Sequence, residues 1–110
     1  MEQLVIINAE TLGRGDDSLG AQLMGSYLRT LYASEQKPDA IVFYNAGVKL
    51  LAAGSPVLDA IDMLARAGVD LVACGTCVSF YKVNDLHAGR VSTMKEIVGM
   101  MASARTAITV

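Results

Sequence analysis

Two cysteines, Cys74 and Cys77, carry the most reactive side chains of the sequence, and Gly75 and Thr76 separate them. A thiolate attacks the outer sulfur of a persulfide or one sulfur of a disulfide, and a nearby second thiol can attack back to release the cargo. The spacing therefore suits reversible sulfur chemistry, a dithiol redox couple or part of a metal site. The structural alternative is that two small apolar side chains fill space, because free cysteines are often buried.

The position of the motif favours chemistry. Residues 69–73 form a short apolar run that reads as a buried strand, so Cys74 ends a strand and Cys77 falls in the first turn of the segment that follows. Free backbone N–H groups and the positive end of a helix dipole lie close to such a position. Both effects favour the thiolate form of a cysteine.

Two other kinds of CxxC protein fit less well. Thioredoxin-like domains carry the motif early and use a cis-proline loop beyond it, whereas Pro38 and Pro56 both precede the cysteines. A structural zinc site needs a tetrahedral set of ligands, and beyond the two thiols only Asp85 and His87 lie nearby in the sequence. The sequence therefore predicts no metal and no bound cofactor.

The elements that position the motif follow from the apolar pattern. Runs rich in β-branched residues and without polar alternation predict buried parallel strands at residues 4–7, 41–44, 69–73 and 107–110, with a very short fifth strand at 89–92. Amphipathic helices lie between them, with apolar stripes formed by Leu19, Leu23, Tyr27 and Leu31 and by Met94, Ile97, Val98 and Met101. Strand and helix alternate along the whole chain.

Capping residues set the predicted helix boundaries. Asp16 or Asp17 can cap the first helix, and Thr93 with Glu96 has capping-box spacing at the start of the last one. Ser55 followed by Pro56 predicts that a helix spans residues 56–67, with Gly68 as its left-handed end residue. We therefore expect a single domain over residues 1–110, an α/β fold with three α/β/α layers and a doubly wound, mostly parallel sheet of about five strands.

Right-handed crossovers bring every strand-to-helix loop to the carboxyl edge of such a sheet, where ligands bind. Asn45, Gly47 and Lys49 follow the second predicted strand, and a lysine there could lower the pKa of a thiol or hold an anionic substrate. Arg14 follows the first strand as a candidate anion contact. Its glycine-rich loop has Ser18 at the third glycine position of GxGxxG, so a nucleotide site is a weak prediction.

Composition restricts the partners. Nine Lys and Arg against eleven Asp and Glu give a net charge of −2 without a basic cluster, which argues against nucleic acid. No apolar run approaches the ~18 residues of a membrane helix, and residues 1–8 do not resemble a secretion signal, so we expect a cytoplasmic protein with no membrane partner. The 53% hydrophobic content exceeds what one small core should absorb and predicts a homo-oligomer.

Three sequence motifs resemble the DsrE-like domain of YedF-type selenium-metabolism proteins. They are Leu-Gly-Arg-Gly-Asp-Asp at 12–17 with Leu-Gly at 19–20, Phe-Tyr-Asn at 43–45 with Gly-Val-Lys-Leu at 47–50, and Cys-Gly-Thr-Cys at 74–77. The resemblance covers nearly the whole chain. The wider family of sulfur carriers that it indicates has an α/β/α fold, commonly forms homo- or hetero-oligomers and passes sulfane sulfur between cysteines.

In the family's sulfur carriers the persulfide-bearing cysteine directly follows the third strand, so the resemblance implies that Cys74 carries sulfur or selenium and Cys77 resolves it. Asn45, Lys49 and nearby backbone N–H groups, such as those of Gly75 and Thr76, would stabilise the anion. The implied partner is a TusA-like carrier or another persulfide donor or acceptor.

YedF-type proteins usually carry an N-terminal TusA-like domain, whereas this chain begins almost at its first strand, so we expect a free-standing form or an excised domain. Two other functions stay open. One is a non-catalytic oligomeric domain that binds a small anion or a TusA-like partner. The other is a dithiol oxidoreductase.

Overall fold

A single parallel sheet of five strands organises the protein, whose computed structural model describes residues 1–110. The elements are β1 Gln3–Ile7, α1 Asp17–Ala33, β2 Ala40–Phe43, a 3-10 helix Asn45–Leu51, α2 Leu58–Arg66, β3 Asp70–Cys74, α3 Gly75–Phe80, β4 Arg90–Ser92, α4 Met94–Ser103 and β5 Thr106–Thr109. The strand order is β4-β3-β2-β1-β5. The α/β prediction is confirmed, including the short fifth strand. No helix is both long and apolar enough to cross a membrane.

Strand side chains alternate in direction, so both faces of the sheet carry apolar side chains. Helices cover both faces. On the first face, α1, α2 and the 3-10 helix bury a cluster of 16 residues that includes Ile7, Phe43 and Leu71. On the second face, Ile97 and Met100 of α4 complete a cluster of eight residues. This is the predicted three-layer arrangement, with a thick layer and a thin one.

The chain reverses direction across the sheet after β4. From β1 to β4 each strand is added beside the previous one, and the helices between them pack on the first face. The chain then returns through α4 on the second face and adds β5 beside β1. The segments that leave β3 and β4 therefore diverge to opposite faces, with α3 on the first face and α4 on the second.

Local chemistry accounts for three of the helix ends. The Leu19 N–H donates to Asp16 Oδ1 at 2.8 Å, and the Glu96 N–H donates to Thr93 Oγ1 at 3.3 Å, so both predicted caps are confirmed. Gly68 has φ +91° just after α2, where a left-handed residue was expected. The Glu96 carboxylate, however, accepts hydrogen bonds from Arg90 and does not complete the capping box.

The predicted start of the middle helix is wrong by two residues. The helix begins at Leu58 with Val57 as its N-cap, and Pro56 belongs to the turn before it. Ser55 Oγ accepts a hydrogen bond from the Val57 N–H at 3.3 Å, which closes that turn and caps no helical residue. The Val57 side chain is buried in the first cluster, so the turn serves to seat it there before the helix begins.

The predicted apolar stripes of two helices are only partly correct, because Tyr27, Leu31, Ile97 and Met101 do pack in or against the core but the other members are exposed. In α1 the buried residues are Gly20, Met24, Gly25 and Leu28, whereas Leu19 and Leu23 are exposed. A Cβ atom on Gly20 would lie 2.6 Å from Thr11 Cβ, so α1 packs closely through a glycine that a search for apolar side chains ignores. In α4, Met94 and Val98 are exposed and Met100 is buried in place of them.

Candidate functional site

The two cysteines lie at the carboxyl end of β3 and in the first turn of α3, and they differ in accessibility. Cys74 is the last residue of β3, pairs in register with Ser92 of β4 and is 2% exposed, with its side chain in the second cluster. Cys77 lies in the first turn of α3, is partly exposed and contacts both core clusters. Both thiols are free, and Cys77 is the one that a second molecule reaches.

A backbone donor points at the accessible sulfur. The Asn45 N–H, at the first residue of the 3-10 helix, donates to Cys77 Sγ at 3.0 Å. Asn45 has φ +49°, a left-handed conformation that asparagine tolerates better than most residues. The Asn45 side chain in turn accepts a hydrogen bond from the Tyr81 hydroxyl at 2.7 Å. The end of β2 and the end of α3 are thereby joined around Cys77.

The electrostatics of Cys77 differ from the expectation. Burial raises the pKa of the Cys77 thiol above its ordinary value, the Asn45 N–H acts in the opposite direction, and the nearby Cys74 raises the pKa further. The expected net preference for the thiolate at Cys77 is therefore wrong, because loss of hydration outweighs the stabilisation by the one N–H. The six residues of α3 also supply only a small helix dipole.

Lys49 reaches the site through an aromatic ring. Its Nζ lies 4.5 Å from the centroid of the Tyr81 ring and 3.5 Å from Glu10 Oε1. A lysine at this distance over an aromatic face is held by attraction to the ring electrons. Lys49 thus lies at the predicted edge of the sheet, next to Tyr81, which binds Asn45.

The remaining predicted residues fall into three groups. Gly47 and Gly75 permit close packing: a Cβ on Gly47 would lie 2.3 Å from Ile7 O, and one on Gly75 would lie 3.2 Å from Ser92 O. Thr76 lines the same pocket as Cys77. Arg14 lies in the exposed loop after β1, forms no ion pair and is not among the residues that line this pocket.

A shallow apolar pocket of about 350 Å³ opens in front of Cys77. Its lining consists of Asn45, Thr76, Cys77, Phe80 and Tyr81. Phe80 is 76% exposed and packs edge-on against Tyr81, with ring centroids 5.0 Å apart. The sequence did not single out either aromatic residue. The signal was available, because Tyr81 lies four residues after Cys77 and therefore one helical turn away.

Comparison with known proteins identifies the family. A model of the DsrE/DsrF-like family matches residues 13–110. The chain belongs to the DsrE/DsrF-like family. Among solved structures, YchN from E. coli resembles this DsrE/DsrF-like chain with a TM-score of 0.70 at 16% identity, over all of both chains.

Two further solved structures show the same DsrE/DsrF-like fold. MTH1491 from Methanobacterium thermoautotrophicum, a protein of unknown function, has a TM-score of 0.71 at 24% identity over all of both chains. BT1422 from Bacteroides thetaiotaomicron, also of unknown function, has a TM-score of 0.67 at 18% identity, over 99% of this chain and 95% of that one. At these identities the likeness concerns the fold alone. No curated protein matches the chain significantly.

Proposed function

We propose that this protein is a cysteine-based carrier of sulfane sulfur that exchanges cargo through Cys77 and stores it on Cys74. The observation that carries the proposal is the pairing of one accessible thiol, which accepts the Asn45 N–H, with a buried thiol close enough to raise its pKa. Membership of the DsrE/DsrF-like family supports it, because sulfur relay is common in that family. Neither the loading of Cys77 nor the transfer of sulfur to Cys74 requires a cofactor.

The loading step conserves atoms and electrons. The Cys77 thiolate attacks the outer sulfur of a donor persulfide, a new S–S bond forms on Cys77, and the donor's S–S bond breaks. The donor leaves as a thiolate, and the transferred sulfur keeps its proton or loses it to water. No oxidant or reductant is consumed, so the same exchange in reverse delivers the sulfur to an acceptor thiol.

Accessibility decides the order in which the two cysteines act. The family resemblance implies that Cys74 is the carrier and Cys77 the resolving thiol, but at 2% exposure Cys74 offers no surface to a protein donor. We therefore assign entry of the sulfur to Cys77. The Cys74 thiolate then attacks the outer sulfur of the Cys77 persulfide, which moves the cargo inward and restores the Cys77 thiolate. Burial would protect the persulfide on Cys74 from reductants in solution.

Partner docking is assigned to the rim of the pocket. Phe80 projects beside Cys77, and exposed aromatic residues are favoured anchors of protein interfaces. A TusA-like carrier with an accessible cysteine is the partner that the family resemblance suggests. The resemblance to YedF-type proteins extends the proposal to selenium as a perselenide on the same cysteines.

Self-association is part of the same proposal. Met94 and Val98 are each at least half exposed on α4, beside the thinner layer of the core. We expect a second copy of the chain to cover them. Light scattering tests this expectation, and a monomer of 11.6 kDa across micromolar concentrations would contradict it.

Intact-mass analysis after incubation with a small persulfide donor tests the relay. Wild type should gain one sulfur that is removed slowly by reductant. Cys77→Ser should gain none, because the entry thiol is missing, and Cys74→Ala should gain one sulfur that reductant removes faster. Loading that survives Cys77→Ser and disappears in Cys74→Ala would return the role of the acceptor to Cys74. If neither substitution changes the mass gain, the relay proposal is wrong.

The closeness of the two free thiols also favours a second candidate function, a dithiol oxidoreductase. In that case oxidant should convert wild type to a form two hydrogens lighter, and this form should be reduced by a dithiol at a measurable potential. A mass loss of this kind without any sulfur gain from the donor would favour the oxidoreductase. Unchanged partner binding in the double variant Cys74→Ala, Cys77→Ser, with no thiol chemistry in wild type, would instead favour a binding domain.

A further inference from the structure

We propose that Tyr81 is a positioning residue of this site: its hydroxyl holds Asn45 in the conformation that presents the Asn45 N–H to the Cys77 sulfur, and Lys49 steadies the Tyr81 ring. This inference deepens the proposed function and takes its biological meaning from it. The geometry on which it depends, however, concerns the reactivity of one thiol and can be tested without any sulfur donor.

Three hydrogen bonds form a closed circuit around Cys77. The Asn45 N–H donates to Cys77 Sγ at 3.0 Å, the Tyr81 hydroxyl donates to Asn45 Oδ1 at 2.7 Å, and the Tyr81 N–H donates to the Cys77 carbonyl at 3.0 Å. Each residue is therefore held by the other two. A change at any one of them reaches the sulfur through an identified bond.

Asn45 is the part of the circuit that needs support. Its φ of +49° is uncommon for a residue with a side chain, and the 3-10 helix begins at this residue without a side-chain cap. The bond from Tyr81 replaces the local contacts that usually stabilise asparagine in a left-handed turn. Without that bond, Asn45 is free to relax and to turn its N–H away from the sulfur.

The ring of Tyr81 itself has two side-chain neighbours. Lys49 lies over one face with Nζ 4.5 Å from the centroid, and Phe80 packs edge-on at 5.0 Å. Lys49 also pairs with Glu10 at 3.5 Å, so the contact links the loop after β1 to the end of α3. A cation over the ring withdraws electron density from it, which strengthens the hydroxyl as a donor to Asn45.

The circuit opposes the other influences on Cys77. Burial and the neighbouring Cys74 both raise the pKa of the Cys77 thiol, and the Asn45 N–H lowers it. The other titratable groups at the site are Tyr81, Lys49 and Glu10, of which Tyr81 contacts Asn45, Lys49 contacts the Tyr81 ring and Glu10 contacts Lys49. The N–H to sulfur bond is thus the one contact that favours the reactive thiolate over the thiol.

The test is the pH profile of Cys77 alkylation by iodoacetamide, followed by mass in a Cys74→Ala background so that one thiol is observed. Tyr81→Phe should shift the midpoint of the profile to higher pH and slow alkylation at neutral pH by about three- to tenfold. Tyr32→Phe is the matched control, because Tyr32 also lies under a lysine, with Lys37 Nζ 5.8 Å from its ring, and it has no bond to the site. Its profile should not move.

Asn45→Gly separates positioning from a general loosening of the fold. Glycine keeps the N–H and adopts positive φ freely but has no side chain for Tyr81 to bind. Tyr81→Phe should therefore slow alkylation in the Asn45 protein and have little further effect in the Asn45→Gly protein. Equal slowing in both backgrounds, or no slowing in either, would overturn the proposal.

Sulfur loading of wild type is measured in parallel. Failure to load with a shifted Tyr81→Phe profile would remove the relay and leave the positioning role intact. Normal loading of wild type with an unshifted Tyr81→Phe profile would remove the positioning role and leave the relay intact. Urea unfolding of each variant identifies any that is not folded, and Lys49→Met, which keeps an apolar stem without the charge, provides a second route to the same prediction with a smaller shift in the same direction.

Discussion

The two faces of the sheet differ in how completely helices cover them. The first face carries α1, α2 and the 3-10 helix over a cluster of 16 buried residues, whereas the second has α4 alone over eight. Cys74 belongs to the thin layer, and Cys77 contacts both layers at their boundary. The fold therefore concentrates its apolar packing on the first face and leaves Cys74 in the less covered layer.

This asymmetry bears on the proposed storage of sulfur on Cys74. Local opening of a protein is easiest where few apolar contacts must be broken, and α4 with the three-residue strand β4 is such a region. Opening there would expose Cys74 while the thick layer stays packed. A sulfur stored on Cys74 would then have room to return to Cys77 for delivery without unfolding of the molecule.

The largest expected difference between the faces is in the stability lost when a buried isoleucine on each face is replaced by alanine. Ile61 of α2 and Ile97 of α4 are both 0% exposed, one in the thick layer and one in the thin layer. We expect Ile61→Ala to lower the free energy of unfolding by about 3–5 kcal/mol and Ile97→Ala by about 2–3 kcal/mol, because a lone helix can shift to fill the cavity. Urea unfolding of both variants measures the difference.

Equal losses of unfolding free energy in Ile61→Ala and Ile97→Ala would mean that α4 is held as rigidly as α2. Hydrogen exchange sharpens the same comparison. If the thin layer opens locally, the amides of α4 should exchange at lower free energy than those of α2 in wild type. The reverse order would remove the route by which Cys74 is exposed.

Alanine substitutions at two glycines should change the free energy of unfolding by smaller amounts and in opposite directions. A Cβ on Gly47, beneath the site and against the thick layer, would lie 2.3 Å from the Ile7 carbonyl oxygen, whereas one on Gly99 in α4 meets nothing within 4 Å. We expect Gly47→Ala to destabilise by about 1–3 kcal/mol because backbone must move. Gly99→Ala should stabilise by about 0.5–1 kcal/mol because alanine favours the helix. Thermal unfolding distinguishes the two, and a stabilised Gly47→Ala would contradict the close packing.

Much of the fold was predictable because its signals are local. Continuous apolar strands indicate a parallel sheet covered on both faces, and Asp16, Thr93 and Gly68 act within one helical turn of their own positions. The stripe of α1 was not predictable in the same way. Its packing surface includes Gly20 and Gly25, and the contact of Gly20 with Thr11 depends on a loop whose path the sequence does not specify.

The site was predictable in its location and less so in its chemistry. Topology alone brings residues 45–49 and 74–77 to one edge of the sheet, as expected. The positive φ of Asn45, the bond from Tyr81 and the unequal burial of Cys74 and Cys77 depend on how α3 is tilted against the 3-10 helix. That tilt is set by tertiary packing, and no single-residue preference encodes it.

The smallest expected effect on stability comes from ion pairs at the outer surface of each face. On the thin side, Arg90 binds both Asp70 and Glu96, with Nη1 2.8 Å from Glu96 Oε1, and so ties β4 to β3 and α4. On the thick side, Arg29 binds one carboxylate, Asp59, at 3.0 Å through two nitrogens. Both arginines are about half exposed, so screening by water keeps either contribution small.

Acid should reveal the difference between these two arginines. Arg90, followed by Ser92, lowers the pKa of Glu96 to about 2. A carboxyl whose pKa is lowered in the folded state stabilises that state fully above its ordinary pKa, about 4.3 for glutamate, and loses this contribution as the pH falls through about 2. Arg90→Gln should therefore lower the urea midpoint at pH 7, and the gap to wild type should close between these two pH values. Arg29→Gln should leave a smaller gap at pH 7, because one carboxylate loses its partner there and two lose theirs at Arg90. A gap that is equal for both variants, or that persists at the acid end, would show that the three-residue edge strand does not depend on Arg90 for its attachment to the thin layer.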